Sequence, residues 1–93
     1  MMILRQVGIN LRRARIAKGL SQEALANDAE VAMNYVSGIE RGTRNPTVLI
    51  LARLCRILGM PPAQLFTPVS GKEGLSKNLK PGRRQPRSRG RAR

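Results

Sequence analysis

Hydrophobic side chains recur at helical spacing along the first 69 residues of the chain. Val7, Leu11 and Ala14, for example, fall on one face of an α-helix because they lie four and then three positions apart. The chain shows neither the strict alternation of a half-buried strand nor an internal repeat. The pattern therefore predicts an all-α domain with five short helices, at residues 3–18, 22–29, 33–40, 48–58 and 63–66.

Residues with strong preferences for helix ends stand at these boundaries. Ser21 and Thr47 are expected to cap the second and fourth helices, since a side-chain oxygen there accepts a hydrogen bond from a free backbone N–H. Gly19 and Gly59 follow the first and fourth helices, and glycine readily takes the left-handed backbone that ends a helix. These end signals support the predicted bounds.

Residues 70–93 have a different character. They contain three apolar side chains among four Gly, two Pro and three Ser, too few to offset the entropy of ordering the segment. We therefore expect one folded domain at 1–69 and a disordered Arg/Lys-rich tail at 70–93, with nine basic side chains and one acidic. Either the tail binds nucleic acid without sequence preference, or it is a solvated terminus with no dedicated role.

Composition narrows the functional classes. The chain has 18 Lys and Arg against 5 Asp and Glu, a net charge of +13, and this balance favours a polyanion as partner. Without His and with one Cys it can build neither a His–Cys zinc site nor a Ser–His or Cys–His dyad, so we expect no enzyme activity and no cofactor. Cys55 is interpreted as a buried structural thiol. One thiol forms no intrachain disulfide and no apolar run spans a membrane, so a cytoplasmic location is expected.

The second and third helices, joined by three residues, suggest a helix-turn-helix at about residues 21–41. Four motifs strengthen this interpretation: Gly-Leu-Ser-Gln-Glu at 19–23, Tyr-Val-Ser at 35–37, Ile-Glu-Arg-Gly at 39–42 and Arg-Asn-Pro-Thr at 44–47. With them the chain resembles the Cro/phage-repressor (XRE-type) helix-turn-helix family over about residues 3–67. The resemblance implies a compact, five-helix, lambda-repressor-like DNA-binding domain whose recognition helix, residues 33–41, enters the major groove.

The resemblance places four positions of the third helix against base edges. They are Met33, Asn34, Ser37 and Gly38. Asn34 is the strongest candidate, because an Asn side chain can bond adenine at N6 and N7 together. Met33 can make only apolar contact, Ser37 can bond a base or a phosphate, and Gly38 mainly permits close approach. The alternative for Asn34 is a hydrogen bond to the local backbone near the start of the helix.

Five residues are assigned to the DNA phosphates. The resemblance implies that Gln22 contacts a phosphate at the N-terminus of the second helix, where free backbone N–H groups also attract anions. The other four, at and after the end of the third helix, are Arg41, Thr43, Arg44 and Asn45. Contacts of this kind fix the register of a protein on the duplex without reading its sequence. The alternative for Gln22 is a solvent-exposed polar residue in the first helical turn, and the alternative for Arg44 is an ordinary exposed charge.

The resemblance also implies an ion pair between Arg15 of the first helix and Glu40 at the end of the third. Two departures from the family precede the third helix. Glu30 stands where the family usually has Gly, which predicts a strained left-handed residue at a cost of about 1–2 kcal/mol. Ala32 stands where the family usually has a capping Ser, Thr or Asp, at a cost of about 1 kcal/mol.

The expected function is a sequence-specific transcriptional regulator, a repressor or autoregulator, that binds double-stranded DNA as a homodimer. Candidate interface residues are Ile50, Ile57, Met60 and Leu65, with core packing as the alternative, favoured for Leu65. Two other functions stay open. An antitoxin-type module would bind a protein partner, a toxin or another regulator, as well as DNA. A nonspecific nucleic-acid-binding protein would rely on the basic tail. Neither a membrane contact nor a small-molecule ligand domain is expected.

Overall fold

The computed structural model describes residues 2–69. Within that range the chain forms four α-helices and a final 3₁₀ helix, and it contains no strand. The α-helices are α1 (Met2–Ala17), α2 (Gln22–Ala29), α3 (Met33–Arg41) and α4 (Val48–Leu58), and the 3₁₀ helix is Pro62–Phe66. The all-α prediction is confirmed for these residues, whereas the tail predicted at 70–93 lies outside them. None of the helices described here is long and apolar enough to cross a membrane.

The prediction of a fifth α-helix is wrong. The segment after α4 forms a 3₁₀ helix of five residues. Pro61 and Pro62 supply no backbone N–H, and the segment is too short for the successive hydrogen bonds that stabilise an α-helix. Side chains of α1 hold it instead, because Asn10 Nδ2 donates to the carbonyls of Leu65 and Thr67, both at 2.9 Å.

The predicted caps of α2 and α4 are confirmed. The Ser21 hydroxyl accepts a hydrogen bond from the backbone N–H of Ala24 at 2.9 Å, and the Thr47 hydroxyl accepts one from Ile50 at 3.1 Å. The glycines that follow α1, α3 and α4 all have positive φ, as a left-handed helix end requires. Local sequence is therefore sufficient to set these ends.

The turn between α2 and α3 carries the predicted strain. Glu30 has φ 61° and ψ 44°, and it is the one non-glycine residue with positive φ in the range 2–69. This left-handed conformation costs about 1–2 kcal/mol for a residue with a Cβ. Ala32, the N-cap of α3, makes no side-chain cap bond, as predicted. Consequently α3 begins without the local stabilisation that α2 and α4 have.

One hydrophobic core lies between the α-helices and the 3₁₀ helix. Its largest fully buried side chains come from all five elements: Leu11, Leu25, Val36, Ile39, Leu54, Cys55 and Leu65. Leu65 thus belongs to the core, the alternative that the sequence favoured. Burial raises the pKa of the Cys55 thiol by desolvating its thiolate, which agrees with the predicted structural role.

α1 and α3 approach each other backbone to backbone at Gly8. A Cβ added there would lie 2.4 Å from the carbonyl oxygen of Ile39 and 2.6 Å from that of Glu40, so a larger residue would force the helices apart. The sequence patterns above do not single out Gly8. The available signal was a glycine inside an otherwise regular helix, where it is unfavourable by about 1 kcal/mol. This contact fixes the C-terminal end of α3 against α1.

Candidate nucleic-acid interface

α3 is buried along one side and exposed along the other. Val36 and Ile39 pack in the core, with 0% and 1% of their surface exposed. On the opposite side, Met33 and Asn34 are exposed and Ser37 is half-buried. A helix that presents one exposed side in this way has the shape that the major groove of DNA accommodates.

The Asn34 amide is available to a ligand. Within residues 2–69 its side chain makes no hydrogen bond, so the alternative in which it bonds the local backbone is not what the structure shows. Met33, its neighbour, exposes 46% of its surface. The two residues form an adjacent pair, one polar and one apolar, at the N-terminal end of α3.

Ser37 and Arg41 form a second pair on this helix, one turn apart. Arg41 Nη1 donates a hydrogen bond to the Ser37 hydroxyl, and Arg41 itself is exposed. The hydroxyl keeps its own proton for donation to an outside acceptor. The structure therefore joins a predicted base reader to a predicted phosphate contact.

The predicted place of Gly38 against base edges would require this residue to face open solvent. In the structure it does not. It is buried beneath the loop that follows α3, where an added Cβ would lie 3.1 Å from Arg44 Cβ. Thr43 binds the Gly38 carbonyl twice, through its backbone N–H at 3.0 Å and through its hydroxyl at 3.2 Å. The missing side chain of Gly38 therefore lets this loop pack closely against α3.

The same loop carries Arg44 onto the side of α3. The Arg44 guanidinium carbon lies 4.9 Å from the centre of the Tyr35 ring, a cation–π arrangement. Tyr35 is half-buried and packs against the core, whereas Thr43, Arg44 and Asn45 are exposed. With Arg41, these loop residues place two positive charges and several hydrogen-bond donors beside the exposed side of α3.

A buried network joins α1, α2 and α3 behind this surface. Arg15 Nε donates to Glu40 Oε2 at 2.6 Å and Arg15 Nη2 donates to Glu40 Oε1 at 3.0 Å, so the ion pair is bidentate. Glu40 Oε1 also accepts from Gln22 Nε2 at 3.0 Å, and Arg15 Nη1 donates to the Leu20 carbonyl at 2.8 Å. The two charged side chains are 11% and 3% exposed, so each depends on the other for its pairing.

The Gln22 side chain is therefore part of this buried network, and only part of its hydrogen-bonding capacity is left for a ligand. One Nε2 hydrogen is used by Glu40, and the side chain is half-buried at the N-terminus of α2. The second Nε2 hydrogen and the free backbone N–H groups at that helix end can still attract an anion. Periodicity gave no sign of this bond, because 18 positions separate the two residues.

Known proteins resemble this chain over the same region. The Helix-turn-helix family profile matches residues 11–65. The uncharacterized HTH-type transcriptional regulator y4dJ of Sinorhizobium fredii is 44% identical over 62 residues, which cover 67% of this chain and 80% of that protein. The control protein C.BamHI of Bacillus amyloliquefaciens is 36% identical over 69 residues, with coverage of 71% and 85%. The solved restriction-modification controller protein C.AhdI of Aeromonas hydrophila aligns with a TM-score of 0.69 and 41% identity, over 71% of this chain and 100% of that one.

Proposed function

Because the chain belongs to the Helix-turn-helix family and is a DNA-binding transcriptional regulator, we propose that it recognises a specific duplex sequence through the exposed side of α3. One observation carries this proposal. α3 is fixed on its inner side by the core and by the Glu40 network, while its outer side presents Asn34 without any partner in residues 2–69. A rigid helix with an unused amide is suited to reading base edges.

In the proposed complex, Asn34 bonds one adenine through N6 and N7, which discriminates against another base by about 1–3 kcal/mol. Met33 lies beside it and contacts a thymine methyl group. Ser37, next along the exposed side, donates its hydroxyl proton to a base or a phosphate. Gly38 has no part in this readout, since it is buried under the loop after α3.

Phosphate contacts flank this readout in the proposal. Gln22 and the N-terminal backbone of α2 bind one phosphate, because that helix end carries free N–H groups and a partial positive charge. On the other side of α3 the contacting residues are Arg41, Thr43, Arg44 and Asn45. Contacts from both sides would hold the helix at one depth and register in the groove.

A homodimer is proposed for operator binding, with two half-sites one helical turn, about 34 Å, apart. Among the interface residues expected from sequence, Ile50, Ile57 and Met60 are half-buried at the edge of the core and retain some surface for a partner. Leu65 is excluded, because its side chain is fully buried. Sedimentation across concentration, with and without operator DNA, tests this part of the proposal.

The biological role is proposed from the relatives. Since they include a control protein and a restriction-modification controller, we propose that this chain controls transcription as a repressor or autoregulator, acting in the cytoplasm without a catalytic step. The antitoxin alternative with a toxin partner predicts instead that a protein co-purifies with the chain whether or not DNA is bound. The nonspecific alternative, driven by the basic segment 70–93, makes a separate prediction that the next experiment tests.

The experiment selects binding sites from random duplex DNA at about 150 mM salt, a concentration that weakens nonspecific contacts. The full chain, its N34A variant and residues 1–69 are compared. We expect one two-fold symmetric motif for the full chain and for 1–69, and loss of preference at one base pair per half-site for N34A. An absence of any motif, together with loss of binding in 1–69, would overturn sequence-specific recognition in favour of the nonspecific alternative.

A further inference from the structure

Tyr35 lies at the border between the core and the exposed side of α3. It has no role in the DNA contacts proposed above. We propose that Tyr35 is a positioning residue for DNA binding, whose ring face holds the Arg44 guanidinium ready to meet a phosphate. The inference rests on the proposed function in one respect, the assignment of Arg44 to a phosphate.

The course of the Arg44 side chain is defined at three points. An added Cβ on Gly38 would lie 3.1 Å from Arg44 Cβ and 3.7 Å from Arg44 Nε, so the aliphatic part of the chain passes directly over Gly38. The guanidinium carbon then lies 4.9 Å from the Tyr35 ring centre. Because positions 35 and 38 are three apart on a helix, Arg44 runs back along a single face of α3.

The loop is also fixed where Arg44 begins. Thr43 donates two hydrogen bonds to the Gly38 carbonyl, at 3.0 Å and 3.2 Å. The residue between Arg41 and Thr43 is Gly42, whose φ of 76° turns the chain back toward α3. The residue before Arg44 is thus held by α3 itself, which places the start of the Arg44 side chain beside Gly38.

A stacked guanidinium is better prepared for a phosphate than a free one. An unrestrained Arg side chain loses much rotamer freedom on binding, and stacking on a ring removes part of that loss in advance. Stacking uses the flat face of the guanidinium and leaves its N–H edges for phosphate oxygens. Tyr35 is suited to the task because its ring packs against the core.

The first test is a double-mutant cycle on the full chain with a generic duplex at low salt. Y35L removes the ring face and should weaken binding about 3- to 10-fold, whereas Y35F keeps the ring and should stay within about two-fold. In an R44A background, Y35L should change binding by less than about two-fold, since its partner is already absent. An equal loss in Y35F and Y35L, or an undiminished Y35L effect without Arg44, would overturn the positioning role.

The deciding signals of a second measurement come from the wild-type chain, so they do not depend on whether a variant folds. In the NMR spectrum of the free full chain, the Arg44 side-chain protons should show contacts to the Tyr35 ring protons and an upfield ring-current shift. The shift should persist in Y35F. Absence of these signals in the wild-type chain would refute the stack, whatever the binding data show.

Failure of this inference can be told from failure of the proposed function. Phosphate contacts do not depend on sequence, so the cycle on a generic duplex remains measurable even if site selection returns no motif. G38A tests the same contact without changing Tyr35, because its new Cβ meets Arg44 Cβ at 3.1 Å and should displace Arg44. We expect G38A to weaken duplex binding in the presence of Tyr35 and Arg44 but to change it by less than about two-fold in R44G, because that substitution removes the Cβ that the new methyl group meets. An equal effect of G38A in both backgrounds would count against the proposal.

Discussion

On the inner side of α3, Glu40 accepts three hydrogen bonds, two from Arg15 and one from Gln22. On the outer side, Asn34 makes none within residues 2–69. The two side chains differ in hydrogen bonding because Glu40 is buried and Asn34 is exposed to water. A buried carboxylate without partners would be very costly, whereas an exposed amide is hydrated until DNA replaces the water. The comparison teaches that α3 separates stability from recognition, so substitutions on the two sides should have different consequences.

The largest effect is expected from the inner side. E40A should lower the free energy of unfolding by about 3–5 kcal/mol, because it leaves the Arg15 charge buried without its partner. Urea or thermal unfolding measures the change. D28A, which removes an exposed carboxylate from α2, is the matched control and should change stability by no more than about 0.5 kcal/mol. Similar losses in both variants would contradict a specific role for the buried pair.

On the outer side, N34A should leave the unfolding midpoint unchanged and reduce discrimination at one operator base pair by about 1–3 kcal/mol. Competition binding with operators changed at single positions measures this loss. R44A is the contrast, since it should weaken all duplexes alike and reduce the salt slope by about one. If N34A weakened every duplex equally, the division between readout and phosphate contact would be refuted.

The start of α3 offers a smaller effect that belongs to stability alone. E30G should stabilise the protein by about 1 kcal/mol, because glycine adopts the left-handed conformation of Glu30 without strain. The reverse substitution is G19A, at φ 78° with no atom within 4 Å of an added Cβ, which should destabilise by a similar amount through strain. The denaturant midpoints of E30G, G19A and the wild-type chain measure both changes. A loss of stability in E30G would show that the Glu30 side chain contributes more than its strain costs.

The smallest expected effect is at the missing cap. A32S should stabilise by about 0.5–1 kcal/mol, since Ala32 already has the extended backbone of an N-cap, with φ −70° and ψ 143°. Chemical unfolding measures the gain, and the DNA sequence preference should stay as it is in the wild-type chain. A32G is the control for backbone effects, because it supplies no side-chain acceptor. A change of base preference in A32S would mean that the helix start is part of the readout.

Much of the fold followed from local sequence. The caps at Ser21 and Thr47 and the glycine-terminated helices were predicted from neighbouring residues, because a cap acts within one helical turn. The strain at Glu30 was predicted from the resemblance instead, because the family usually has Gly at that position. The final segment was not predicted correctly, since two prolines and the bonds from Asn10 favour a 3₁₀ helix that a hydrophobic pattern cannot distinguish from an α-helix.

The candidate site, like the fold, was predicted only in part from the sequence. Sequence alone determined where the helices lie, where the charge lies, and that the outer side of α3 carries Asn34 and Met33. The tertiary structure decided that Gly38 is buried under a loop, that Arg44 lies over Tyr35, and that Gly8 brings α1 against α3. The physical reason is the separation in sequence between the residues that make contact. Periodicity and capping report contacts within one or two helical turns. The path of a loop and the crossing of two helices depend on distant residues that only packing brings together.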